Sequence, residues 1–223
     1  MSMKRYYEAY DGRYKTIHEK GFSWAGDAPT PIVLDVIHKS GLSKEARILE
    51  IGCGEGRDSR AVLDEGYNLL ATDISTEAIS YCRNRFPKYA DRFQVLDCLN
   101  CDYDGRFDMI YAIAVLHMLV EDGDRKGFYR FIREHLADNG IALVCSMGDG
   151  ESEFSTRAED AFEIRERNHF SGLVQVASTS CRMVGFQRFE EEISEAGLTI
   201  MEKGLASAMP DFDSLMYAVV KQA

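Results

Sequence analysis

Residues 48–59, ILEIGCGEGRDS, send a buried strand straight into a helix through three closely spaced glycines, and few folds accept such a junction. The apolar run ARILEIG reads as a strand covered on both faces, and DSRAVLDEGY has helical periodicity ending at Gly66. Gly52, Gly54 and Gly56 occupy the sharp turn between them, where missing Cβ atoms let the backbone approach a ligand closely. A turn that needs only glycine's dihedral freedom would read the same way, so this run by itself leaves both readings open.

The pattern then repeats. NLLATDIS and RFQVLDC read as second and third strands, and STEAISYCRNRF between them as a helix with Ser75 or Thr76 as its N-cap. RFDMIYAIAVLHML supplies a fourth strand running into a helix, DRKGFYRFIREHLADNG a helix closed by Asn139 and Gly140, and GIALVCSMG a fifth strand. Upstream, PTPIVLDVIHKSGL is an amphipathic helix with Pro29 and Pro31 at its start and Gly41 at its end. These alternating units predict an α/β chain with a mostly parallel sheet, helices on both faces. Downstream, RFEEEISEAGL is a helix, and LTIMEKGLA and SLMYAVVKQ form a closing antiparallel hairpin around a loop with Pro210 and Asp211.

At 223 residues and 45% hydrophobic content the chain suits one domain with one substantial core. Four stretches divide it: a helical or lid segment over 1–45, a ligand-binding core over 46–148, a variable insertion over 149–189 where the alternation fails, and the closing helix and hairpin over 190–223. The net charge of −11 argues against a nucleic-acid partner, which needs clustered Lys and Arg, and favours small or cationic ones. The N-terminal MSMKRYYEAYDGRY lacks the apolar stretch of a secretory signal, and the longest apolar run, Phe107 to Val120, is too short to span a bilayer. A cytoplasmic monomer or homodimer with six reduced cysteines is expected. Cys98 and Cys101 have C-x-x-C spacing but no second pair accompanies them, so no metal site is expected.

Asp73 ends the second strand about twenty residues after Gly52, where a carboxylate can accept both hydroxyls of a ribose. Glu50 and Glu55 bracket the glycines and would repel a pyrophosphate, and the spacing G-x-G-x-G departs from the dinucleotide pattern G-x-G-x-x-G. A nucleoside carrying positive charge suits the turn better.

With ILEIGCGEGRDS, ATDIS, VLDC and FDMIYAIAVLHML in that order, the chain resembles the class I S-adenosylmethionine-dependent methyltransferases over roughly Ile48 to Met147. Within them it looks most like the thiopurine and tellurite-resistance type branch, whose members act on small molecules. The resemblance implies a Rossmann-like three-layer sandwich with a mostly parallel seven-stranded sheet and a C-terminal antiparallel hairpin. It implies S-adenosyl-L-methionine as cofactor and S-adenosyl-L-homocysteine as product. By similarity Glu50 would support the methionine amino end, the backbone of Gly52, Cys53 and Gly54 the carboxypropyl chain, and Asp73 the ribose, with Gly56 completing the turn. Ile74 would pack on the adenine, and Asp97 with Cys98 would meet its edge; a plain turn carboxylate is the other reading of Asp97. Ala112 to Leu116 would face the methionine, although Ala112 and Ile113 stand where family members often carry a polar residue. The absence of an N/D-P-P-Y/F/W motif argues against amino methylation of adenine, cytosine or glutamine.

Methyl transfer is an in-line displacement from an activated donor, so no catalytic residue is assigned. His117, just past the fourth strand, is the first candidate for a base, with a packed histidine as the alternative. His169, Arg157, Arg165, Arg167 and Arg182 lie in or beside the irregular segment, where an Arg could pin an anionic acceptor or simply be solvated. Trp24, with Tyr6, Tyr7, Tyr10 and Phe22, could fold over the site as a lid or belong to the core. Three other functions stay open: an NAD-dependent oxidoreductase, a non-catalytic S-adenosylmethionine-binding regulatory protein, and a protein or RNA methyltransferase.

Overall fold

The computed structural model describes residues 5–101, 103–206 and 214–223. Five strands alternate with helices to make the first half of a seven-stranded sheet. They are β1 (Arg47–Ile51), β2 (Asn68–Asp73), β3 (Phe93–Val95), β4 (Phe107–Ile113) and β5 (Leu136–Met147). The helices before and between them are α1 (Ala9–His18), α2 (Pro31–Lys39), α3 (Arg57–Asp64), α4 (Thr76–Arg85) and α5 (Asp122–His135). After β5 come two short strands β6 (Phe154–Ser155) and β9 (Arg182–Met183), the hairpin β7 (Ile164–His169) and β8 (Gly172–Ala177), then α6 (Phe186–Glu195), β10 (Leu198–Ala206) and β11 (Leu215–Gln222).

Along the main sheet the order is β3-β2-β1-β4-β5-β11-β10. Strands β1 to β5 pair in parallel, and β11 runs antiparallel between β5 and β10, as the sequence pattern predicts. The Pro210–Asp211 loop lies outside the described residues. Alternation along each strand separates two cores. Leu49, Ile51, Ile110 and Ala112 face α5 and α6 through Phe128, Ile132, Phe189 and Ile193. Ile48, Leu69, Ala71, Met109 and Tyr111 face α2, α3 and α4 through Val36, Val62, Ile79 and Cys82. Two buried faces explain why these strands read as apolar runs rather than alternating ones.

Three sequence expectations change. The fourth strand ends in a single 3₁₀ turn, Leu116–Met118, because Ala114 adopts a left-handed φ of +57° that breaks the run before a helix can start. Helix α5 stops at His135 rather than at Asn139–Gly140, and β5 begins at once, taking Ala137 to Gly140 into an irregularity of its pairing with β4. The irregular stretch 149–189 contains the hairpin β7–β8, whose outer face exposes Ile164 and Leu173 and so shows no amphipathic alternation. Helix α1 packs against β8 and α4, and this pairing roofs the C-terminal end of the parallel strands.

Candidate active site

Helix α3, after β1, covers one face of the sheet and α5, after β4, the other, so the chain divides at the C-terminal ends of these adjacent strands and leaves a crevice there. The glycine turn forms one wall. Gly52, Gly54 and Gly56 have φ of +73°, +53° and +78°, and the turn is tied to β2 by Cys53 N–H donating to Thr72 O (2.8 Å) and Gly54 N–H donating to Asp73 Oδ2 (2.8 Å). Asp73 Oδ1 accepts from Ser75 N (2.8 Å), so backbone donors hold both carboxylate oxygens at the end of β2.

Carboxyl groups collect along this wall. Glu50 is 2% exposed and accepts from the hydroxyls of Ser59 and of Tyr111 (3.0 Å). Burial first, then the nearby Asp58, pushes its pKa up to about 8. Asp58 accepts from the backbone N (2.5 Å) and hydroxyl (2.9 Å) of Thr30, and burial raises its pKa as well as that of Asp73. Opposite, Ile74 and Leu96 make an apolar slot. Asp97 lies beside it, accepting from Leu99 N (2.9 Å) and Asn100 Nδ2 (2.7 Å), so it is a turn carboxylate and lines the crevice as well.

The roof comes from the N-terminal segment. Tyr7, Tyr10, Tyr14 and Trp24 all line the crevice. Arg13 holds this roof to the β7–β8 hairpin: its guanidinium donates to Ala177 O (2.8 Å), Ser178 O (2.7 Å) and Thr179 Oγ1 (2.7 Å), and lies over the rings of Tyr10 and Trp24. The segment therefore packs and lines the site at once. Tyr6 contributes from outside by donating to Asp124 Oδ2 (2.7 Å).

Of the residues singled out by sequence, Glu50, Gly52, Cys53, Gly54, Asp73, Ile74, Asp97, Cys98 and Trp24 come together around this crevice. Gly56 instead caps α3, and a Cβ there would meet Cys82 and the rings of Phe86 and Phe93. Ala112 and Leu116 are fully buried in the core beneath, and Ile113, Ala114, Val115, Met118 and Leu119 take the wall position. His117 is also off the wall and 3% exposed; burial, reinforced by Arg125 and Arg13, pushes its pKa down to about 4. His169 sits on the hairpin, its Nε2 donating to Ser23 O (2.8 Å), and its ring stacks on Trp24 from outside the crevice. Arg182 donates to Val120 O (2.9 Å) and pairs with Asp122, while Arg157 and Arg165 pair with Glu159 and Glu163 at the surface. Tyr14 and Asp58 escaped the sequence reading. The apolar residues of α1 form no single stripe, and Asp58 looks like an ordinary first-turn acid of a helix.

Residues 49–142 match the methyltransferase domain family. The chain is 30% identical over 112 residues, 48% of its length and 40% of the relative's, to the malonyl-[acyl-carrier protein] O-methyltransferase of Magnetococcus marinus. It is 27% identical over 164 residues, 70% of its length and 43% of the relative's, to the sterol 24-C-methyltransferase erg6 of Schizosaccharomyces pombe. The alignments thus span less than half of these curated relatives. Among solved structures, the CcbJ methyltransferase of Streptomyces caelestis superposes with a TM-score of 0.71 at 15% identity, covering 99% of this chain and 100% of that one. The 1,6-didemethyltoxoflavin-N1-methyltransferase of Burkholderia thailandensis, solved with its namesake and S-adenosylhomocysteine, gives 0.70 at 14% identity over 96% and 88%. Strand order, glycine turn and family match agree: over residues 49–142 the chain matches the methyltransferase domain, and it carries that domain on the fold of solved S-adenosylmethionine-dependent methyltransferases.

Proposed function

We propose that the chain is a methyltransferase that takes S-adenosyl-L-methionine in the crevice at the ends of β1, β2 and β4 and methylates a small molecule under the aromatic roof, in the cytoplasm. The observation that carries this reading is the buried Glu50, with Asp58 beside it and Asp73 at the next strand end, on a turn whose glycines admit close approach. Such a wall suits a sulfonium with a free amino group and disfavours a pyrophosphate. When bound, this donor supplies an already activated methyl group. In this reading Glu50 takes the amino end and the backbone of Gly52 to Gly54 the carboxypropyl chain. Asp73 takes the ribose hydroxyls, Ile74 and Leu96 the adenine faces, and Asp97 the adenine amine.

Tyr7, Tyr10, Trp24, Met118 and Leu119 offer an acceptor apolar and aromatic surface rather than a clamp for anions. The roof excludes water and aligns the nucleophile, which can supply much of the rate of an in-line displacement. Small acceptors named for relatives, such as the didemethyltoxoflavin of the Burkholderia enzyme, support this class.

Calorimetric titration with S-adenosylhomocysteine and with NADH tests the reading: the first is expected to bind, and binding of NADH alone would overturn it. Asp73→Ala is expected to weaken S-adenosylhomocysteine by about 1–3 kcal/mol, through the lost ribose contacts and the released Gly54 N–H; unchanged affinity would refute that role.

Glu50 also sets a pH dependence. Its raised pKa means that below about 8 the free protein holds a proton there, which a cationic ligand displaces. Affinity is therefore expected to rise with pH up to about 8, with up to one proton released per ligand at pH 7. Titrations in buffers of different ionisation enthalpy read that proton, and Glu50→Gln should abolish it. Equal proton release by both proteins would place its source elsewhere.

A further inference from the structure

His18, at the end of α1, is held from both ring nitrogens. Nε2 lies 2.8 Å from Glu55 Oε1 on the glycine turn, and Nδ1 lies 2.9 Å from Glu77 Oε1 on α4. The ring is sandwiched between Tyr14 and Tyr81, with centroids 5.9 and 4.2 Å away and interplanar angles of 20° and 14°. A neutral imidazole has one N–H and would set a bare lone pair against one of the two carboxylates, whereas an imidazolium donates to both. The geometry selects the cation. Burial opposes the charge, but the hydrogen bonds to Glu55 and Glu77 outweigh it, and the pKa lies above the ordinary histidine value.

Glu55 extends this contact to the roof. Its Oε1 also accepts from Trp24 N (2.6 Å) and its Oε2 from Ala25 N (2.8 Å), and the residue is 6% exposed. One buried carboxylate thus ties the glycine turn to α1 through His18 and to the Trp24 segment through two backbone donors. The charged and titratable groups facing the His18 ring are Glu55, Glu77, Tyr14 and Tyr81. Arg85, bonded to Asp27, lies behind the Tyr81 ring.

We propose that the protonated His18 is the clasp that positions the aromatic roof over the crevice, and that its deprotonation unfastens α1, with Tyr14, from the glycine turn and speeds ligand release. This rests on the crevice being the S-adenosylmethionine site. In energetic terms, a cation whose folded-state pKa is raised stabilises the closed arrangement fully at low pH, and that contribution is lost as pH rises through the raised value. Glu50 pushes affinity the opposite way, so the two effects separate by variant.

Trp24 is the chain's single tryptophan and reports on the roof without any label. In the wild-type protein, Trp24 emission is expected to titrate above pH 6.5 with no ligand present. Across the same range the dissociation rate of S-adenosylhomocysteine, followed by stopped flow, should rise about tenfold. His18→Gln should release the ligand about tenfold faster already at pH 6.5, with the His18-dependent change in emission lost. Glu77→Gln, which removes only the outer partner, should move the midpoint to lower pH. Side-chain ¹⁵N shifts of wild-type His18 should show both nitrogens protonated at neutral pH, a readout independent of any variant's folding. A neutral His18 tautomer at neutral pH, or a His18→Gln protein with the wild-type pH profiles, would overturn the clasp. Failure of S-adenosylhomocysteine to bind at any pH would instead remove the cofactor reading, while the ligand-free emission and ¹⁵N titrations would still decide the clasp.

Discussion

Arg125→Ala is expected to lower unfolding free energy by about 3–5 kcal/mol, measured by urea denaturation, the largest loss from any single truncation proposed for this chain. Arg125 is 1% exposed, and its guanidinium makes a two-pronged pair with Glu192 on α6, Nε to Oε1 at 2.9 Å and Nη2 to Oε2 at 2.6 Å. Its remaining arm, Nη1, donates to Leu116 O (2.9 Å) and Leu119 O (3.3 Å) in the turn after β4. Truncation would leave a buried carboxylate with Arg188 beside it, at 3.4 Å, and would take the Arg125 donor from Leu119 O and from Leu116 O, the latter keeping Leu119 N–H (3.1 Å). Because Leu119 lines the crevice, cofactor affinity should fall together with stability. Replacing both partners, Arg125→Met with Glu192→Met, should recover most of the loss, since the cost lies in the abandoned charge rather than in the pair's own attraction. Equal destabilisation of single and double variants would refute that account.

Gly52→Ala is the second large effect. The residue sits at φ +73°, and a Cβ there would come within 2.3 Å of Val115 Cγ2. The left-handed backbone costs about 1–2 kcal/mol for a residue with a Cβ, and forcing the overlap apart roughly 1–3 kcal/mol more. Val115 forms part of the crevice wall, so its displacement should also cut S-adenosylhomocysteine affinity by about 100-fold. Gly41→Ala is the matched control: its φ is +65° but nothing lies within 4 Å of the added atom, so it should show the backbone cost alone. If the two variants shared one melting temperature and one affinity, the clash with Val115 would have no energetic weight.

Much of the site was legible because its parts are local in the chain. A strand that must turn into a helix across five residues needs glycine, and a carboxylate that ties this turn follows at the end of the next strand, so ILEIGCGEG and Asp73 carry their own geometry. Glu50 was legible for the same reason: with Glu55 it brackets the glycines in the chain, where a carboxylate repels a pyrophosphate. The fourth strand's end was read less well. Ala112 and Leu116 have the right position in the chain, but the left-handed backbone at Ala114 turns the wall over to its neighbours.

From sequence alone came what depends on periodicity and turn chemistry: the order of the main sheet's strands along the chain, the two-faced burial of the parallel strands, and the glycine turn. The tertiary structure alone decided which distant residues meet that turn. His18 reaches Glu55 across 37 positions and Arg13 reaches Ala177 across 164. Such contacts leave no local pattern, because an exposed and a buried histidine or arginine are written identically in the chain. Only the packing of α1 onto α4 and the β7–β8 hairpin removes water from these groups and makes their charges act on one another.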